Sequence, residues 1–242
     1  MICSGAPRAV YRRLLDFFGP QGWWPVTEKG AARPGYHPGD YSAGGGAARF
    51  EMALGAILTQ NTAWANAERA LENLNRAGVR TPGRLLKTPP ARLRALIRPS
   101  GYFAQKEKKL RLFCRHLAAK PGSDMAAWLG GGAAAALREE LLSLWGIGPE
   151  TADSILLYAG EKKVFVVDAY TLRTGGRLGW FGPDAGYARA QEFLEASLPR
   201  SARVYNEFHA LLVALGKNYC RKKPRCGGCP LYDKNGKSET AS

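Results

Sequence analysis

Asp168 closes the apolar run VFVV (164–167) and precedes AYTLR, a segment able to be helical. A carboxylate at that place suits two jobs. It can cap the helix that follows, accepting from backbone N–H groups of the first turn. It can also stand as a fixed negative charge in poorly solvated surroundings, where it stabilises positive charge developing on a bound molecule. Upstream lies Gly146-Ile147-Gly148-Pro149. Glycines give the turn its backbone freedom, and proline suits the first position of a new helix. The N–H groups and dipole of that helix start can hold a phosphate. A plain helix–turn–helix corner is the alternative reading. A third group is Cys220, Cys226 and Cys229, set in GKNYCRKKPRCGGCPLYDKNGK (216–237) with seven Lys or Arg against one Asp. Clustered cysteines in a chain with no signal-peptide pattern favour metal ligation over disulfides.

The elements that must position these residues are helical almost throughout. Residues 8–18 form a short amphipathic segment, and 20–49, rich in Gly, Pro and aromatics, read as an ordered loop holding GWWP. Helical spacing runs through 50–76. TPGRLL and TPPARLRALI each start with a capping threonine before proline, a helix-opening pattern. Further helices are expected over 103–119, 133–145, from Pro149, over 187–198 and over 202–217. KVFVV is too short and isolated to build a sheet. The fold class is therefore all-α, in two lobes: 1–45 with 161–219, and 46–160, followed by a Cys-rich basic loop and tail over 220–242. Two glycines in RTGGR (173–177) sit inside an expected helix, where each costs about 1 kcal/mol relative to alanine; the sequence offers no reason for them.

Bulk composition narrows the partner. The chain has 242 residues and a formal net charge of +15, which points to a polyanion. No apolar run approaches the roughly 20 residues that span a bilayer, so nucleic acid is favoured over a membrane. The expected setting is the cytoplasm, in association with the nucleoid, and the expected state is a monomer.

Several segments in order, LWGIGPETADSILLYAG followed by EKKVFVVDAY, GAILTQNT (55–62) and the cysteine cluster, resemble the helix-hairpin-helix DNA glycosylase superfamily of the endonuclease III class. Within it, ILTQNTAW, RPSGYFAQKEKKL, GIGPETADSILLYA and VVDAY look most like the 3-methyladenine DNA glycosylase III branch. The resemblance implies a two-lobed helical fold, a duplex DNA partner carrying a damaged base, and excision of that base after it is flipped from the stack. It assigns the catalytic carboxylate to Asp168. It makes Gln60 the residue that fills the gap left by the flipped base, with Asn61 and Thr62 beside it, and gives the backbone grip to Gly146, Ile147, Gly148 and Thr151. Trp24, or Trp23 in its stead, and Trp64 would sandwich an alkylated purine, whose positive charge adds a cation–π attraction; the alternative is that they are core residues.

Two departures refine that picture. The position that holds the lyase lysine in bifunctional relatives is Glu150 here, and a carboxylate cannot form an imine. The resemblance then implies a monofunctional hydrolase that leaves an abasic site, with Glu150 at the pocket or simply an acid favoured by the helix dipole. The cysteine loop resembles one that holds a [4Fe–4S] cluster with four thiolates. Where the fourth is due, the chain has Tyr232, Asp233, Lys234 and Asn235, so Asp233 or solvent would have to complete the set. Two alternatives keep part of the pattern: a mismatch or oxidised-base glycosylase on the same fold, and a DNA-binding protein without catalysis.

Overall fold

The computed structural model describes residues 5–182 and 184–232. It divides into two compact units, Met1–Trp23 with Lys163–Ser242, and Trp24–Lys162. The divisions fall at 23/24 and 162/163, where the sequence suggested 45/46 and 160/161. The early segment belongs with the central unit for a physical reason. Val26 and Gly35 pair in a short antiparallel bridge, Asn75 Nδ2 donates to Thr27 Oγ1 and to the Ala32 carbonyl, and Arg80 donates to the Ala31 carbonyl.

Helix α1 (Pro7–Phe18) opens with proline in its first turn and buries Val10 and Leu14, one helical turn apart. The central unit is built on α2 (Gly46–Leu58), which is buried over most of its surface from Phe50 to Leu58. The helical spacing over 50–76 belongs to two helices, because the chain breaks at 59–63: Thr59 Oγ1 folds back onto the Gly55 carbonyl and Asn61 takes a left-handed φ of 53°. Then come α3 (Trp64–Arg76), α4 (Pro82–Lys87), α5 (Pro90–Ile97) and α6 (Phe103–Ala118). Thr81 caps α4 as expected, accepting from Arg84 N. Thr88 does not cap α5; it closes α4 by donating to the Arg84 carbonyl, and Pro89 starts the next helix instead. The unit ends with α7 (Met125–Gly131), capped by Asp124, then α8 (Ala134–Leu142) and α9 (Pro149–Ser154). α9 runs on into a π-helical turn, Ile155–Ala159, every residue of which is buried.

In the terminal unit, α1 is joined by α10 (Ala169–Arg177), α11 (Tyr187–Ser197) and α12 (Ala202–Asn218). The run before Asp168 is buried and extended yet belongs to no sheet. Its backbone is satisfied by α11 side chains: Phe165 N donates to Glu195 Oε1 at 2.7 Å, and Gln191 Nε2 donates to the Phe165 carbonyl at 2.6 Å. Buried backbone groups need such partners. One glycine of the pair in α10 acquires a cause, while Gly176 faces open space and has none. A Cβ on Gly175 would lie 2.2 Å from the Phe181 ring, so the helix surrenders propensity there to admit an aromatic ring. No described helix is long and apolar enough to cross a membrane.

Candidate functional site

Asp168 is the N-cap of α10. Its Oδ1 accepts from Thr171 N at 2.7 Å and from Thr171 Oγ1 at 2.9 Å. The capping reading therefore holds, and it occupies one carboxylate oxygen. Oδ2 lies 3.8 Å from His209 Nε2 on α12. Burial pushes the His209 pKa down; Asp168 raises it in part and Lys217 lowers it further. His209 is therefore neutral at neutral pH. Lys217, also on α12, is likewise lowered by burial and partly restored by Asp168. The carboxylate thus sits beside a neutral imidazole and an ammonium whose pKa burial lowers, with one oxygen fixed by a helix end. Sequence reading did not single out His209 or Lys217. The signal was present: Tyr205, Phe208, His209 and Leu212 make a buried stripe at helical spacing, and a histidine on such a stripe is easily read as core.

The hairpin residues, Gln60, Trp24 and Trp64 belong to the central unit. The hairpin turn is as expected: Gly146 has φ of +83°, Gly148 is the N-cap of α9, and Pro149 follows. Ile147 is buried and anchors the turn. Glu150 is exposed in the first turn of α9, the place where the dipole favours an acid. Gln60 is brought to this turn. Its Nε2 donates to the Gly146 carbonyl at 3.0 Å and to Thr151 Oγ1 at 2.8 Å, while its Oε1 accepts from Lys109 Nζ at 2.5 Å. Asn61 is exposed beside it, and Thr62 accepts from Asn66 Nδ2.

Trp24 and Trp64 come together, but not as a sandwich. Their rings meet edge to face, centroids 5.4 Å apart and planes at 87°, and they are only 7% and 8% exposed. A base cannot lie flat against both rings in that arrangement. Tyr158, from the π-helical turn, adds a third ring 5.2 Å from Trp24. Trp24 rests on α2 where Gly55 leaves space; a Cβ there would lie 2.8 Å from Trp24 Nε1. Trp23 is half-buried and falls in the other unit.

Cys220, Cys226 and Cys229 line one cavity of about 220 Å³ with Thr174, Tyr219 and Leu231. Arg177 Nη1 donates to Cys220 Sγ at 3.3 Å and to the Arg221 carbonyl, and Nη2 to the Lys222 carbonyl. The donor type suits a soft metal. The arrangement does not: among the described residues no three His, Cys, Asp or Glu side chains are placed to hold a metal ion, and a guanidinium covers one thiol. The [4Fe–4S] ligand set expected from the sequence is therefore not assembled among the described residues, and the cluster stands unconfirmed. Asp233, Lys234 and Asn235 lie outside the described residues, as does Cys3.

Comparison with known proteins follows the same lines. A family model described as "HhH-GPD superfamily base excision DNA repair protein" matches residues 54–200. The chain is 39% identical over 224 residues to the Methanocaldococcus jannaschii protein named "Putative DNA repair glycosylase MJ1434", covering 93% of each. It is 29% identical over 197 residues to endonuclease III of Thermotoga maritima, covering 78% of this chain and 86% of the relative. Among solved structures it is similar to the 3-methyladenine DNA glycosylase of H. pylori bound to 1,N6-ethenoadenine, with a TM-score of 0.69 and 25% identity, over 88% of this chain and 98% of that one.

Proposed function

The chain belongs to the HhH-GPD superfamily of base excision DNA repair proteins and is a DNA glycosylase, and from that premise we propose that it removes alkylated purines such as 3-methyladenine from duplex DNA by hydrolysis, leaving the strand intact. The observation that carries the reading is the divided carboxylate of Asp168: Oδ1 is held by the helix end while Oδ2 stays outside that grip. As the C1′–N bond breaks, the electron pair leaves with the base and positive charge grows on the sugar. A carboxylate fixed before the reaction stabilises that charge without reorganising. Water then adds at C1′ and passes its proton to Asp168 Oδ2, which releases it to solvent. His209, kept neutral by burial, does not compete for the carboxylate's charge.

The hairpin grips the backbone through Gly146, Ile147, Gly148 and Thr151, and Gln60 supplies the polar group that replaces the flipped nucleotide in the stack. Base recognition falls to Trp24, Trp64 and Tyr158. The edge-to-face pair offers one stacking face together with a ring edge, so discrimination rests on fit and charge rather than on a two-sided clamp. Glu150 carries no amine, so no imine forms there. The H. pylori relative, bound to a modified adenine, supports the purine reading.

The test is a panel of single-lesion duplexes carrying alkylated, mismatched, oxidised and deaminated bases, each treated with alkali after incubation to cut abasic sites. The expected result is cleavage at 3-methyladenine only after alkali, with no protein–DNA product trapped by borohydride. Excision of a mismatched or oxidised base in its place overturns the substrate; a strong trapped band overturns the hydrolytic mechanism.

A further inference from the structure

The Gln60 amide is held at both ends. Nε2 donates to the Gly146 carbonyl and Thr151 Oγ1, and Oε1 accepts from Lys109 Nζ. Lys109 comes from α6, and its stem lies across the hairpin turn: a Cβ on Gly146 would meet Lys109 Cε at 2.5 Å. The left-handed glycine thus does a second thing. It lets the chain turn, and it leaves the groove through which the lysine reaches Gln60. The ammonium points at the amide, and partial burial lowers the Lys109 pKa. A cation with that surrounding is held for an internal partner more than for a phosphate.

We propose that Lys109 is a positioning residue that locks Gln60 to the hairpin, so that the backbone grip and the group entering the DNA stack move as one body. This rests on the role assigned above to Gln60. The lock presets the Gln60 side chain before DNA arrives, and ordering it in advance removes a cost otherwise met on binding. Lys109 then acts only through Gln60 and makes no phosphate contact of its own.

A double-mutant cycle on the full chain tests this: Gln60→Ala, Lys109→Met and the pair, with circular dichroism to establish the fold of each. The readout is 2-aminopurine fluorescence in a duplex whose probe neighbours an abasic analogue, which reports stack opening without requiring base excision. Lys109→Met is expected to lose most of the protein-induced fluorescence gain, about as much as Gln60→Ala, and to add nothing in the Gln60→Ala background. The salt dependence of undamaged-duplex binding is expected to keep its slope in Lys109→Met, whereas loss of one phosphate contact lowers it by about one. Additive losses in the cycle, or a slope reduced by about one, overturn the lock and make Lys109 a backbone contact. Lys109→Gln is the companion variant: it retains a donor of shorter reach and is expected to recover part of the signal if the first variant folds poorly. Full signal in both lysine variants also overturns the proposal. Because the probe is read without base excision, failure of the substrate reading and failure of the lock are separable.

Discussion

Replacing Asp168 with asparagine separates the cap from the catalytic role proposed above, because the two need different properties of one side chain. The cap needs only an acceptor at Oδ1, and asparagine supplies one for Thr171 N and Thr171 Oγ1. Asn and Asp are about equal as caps, so the stability change reduces to the lost attraction of a negative charge for the helix N-terminus, about 0.3–1 kcal/mol. For a chain of this size that is a fall in Tm of about 1–4 °C. The catalytic job needs the charge. Losing one preorganised group aimed at developing charge costs on the order of 10²–10³ in rate, or about 2.7–4 kcal/mol. Asp168→Ala removes both jobs and adds about 0.5–2 kcal/mol of cap loss. The assay is single-turnover excision of a lesion base at saturating enzyme, with a thermal melt of each variant. Near-native Tm with rate lost by two to three decades in Asp168→Asn is expected, and a lower Tm in Asp168→Ala. An asparagine variant that excises at the wild-type rate refutes the reasoning and leaves Asp168 a cap alone.

Arg138 grips Asp153 through Nε–Oδ1 and Nη2–Oδ2 contacts of 2.7 and 3.1 Å, and Asp153 is 0% exposed; Arg138→Met is expected to cost about 3–5 kcal/mol in denaturant unfolding, the penalty for removing one partner of a buried ion pair. Lys106, 1% exposed, donates to the Leu58 and Ser100 carbonyls, and burial, aided by Lys109, lowers its pKa from 10.5 to about 8. The folded state then holds fewer protons than the unfolded chain between about pH 8 and 10.5, so this group makes stability rise with pH across that window. Lys106→Met is expected to remove that rise, read as the difference between the two proteins' denaturation midpoints against pH. Gly55→Ala places a methyl 2.8 Å from Trp24 Nε1, and is expected to cost about 1–3 kcal/mol by overpacking and to shift the tryptophan emission.

Local signals in the sequence located most of these elements. Proline after a capping residue, or after a glycine turn, placed the starts of α4 and α9, and apolar spacing placed α6, α11 and α12 within a residue or two. What failed depended on partners distant in the chain. Thr88 precedes proline just as Thr81 does, yet Thr88 Oγ1 found a carbonyl behind it rather than an N–H ahead. Apolar spacing resumes in α3 after the 59–63 break, so spacing alone does not mark the bounds of the two helices. Gly175 looked like a flaw until Phe181 supplied the ring that needs the space. For the candidate site, residue types were legible and orientations were not: the resemblance implied the pairing of Trp24 with Trp64, but the 87° interplanar angle arises in packing against Gly55 and Tyr158. Lys109 was visible only as one lysine in a basic helix, since its partner stands 49 positions away.

The interleaving of the two units sets an order of events during synthesis. α1 packs with α12, where Tyr11 meets Phe208 edge to face and Gln21 N donates to Glu207, partners that leave the ribosome long after it. Roughly 140 residues intervene before the terminal unit resumes at Lys163, and at about 5–20 residues per second that is a wait of roughly 7–30 s. The central unit is one unbroken stretch and can condense during that interval. α1 cannot, so its apolar face waits unsheltered, a natural target for a chaperone that holds nascent chains. A circular permutant that starts at Lys163 and links Ser242 to Met1 should remove the delay and let each unit fold from contiguous sequence.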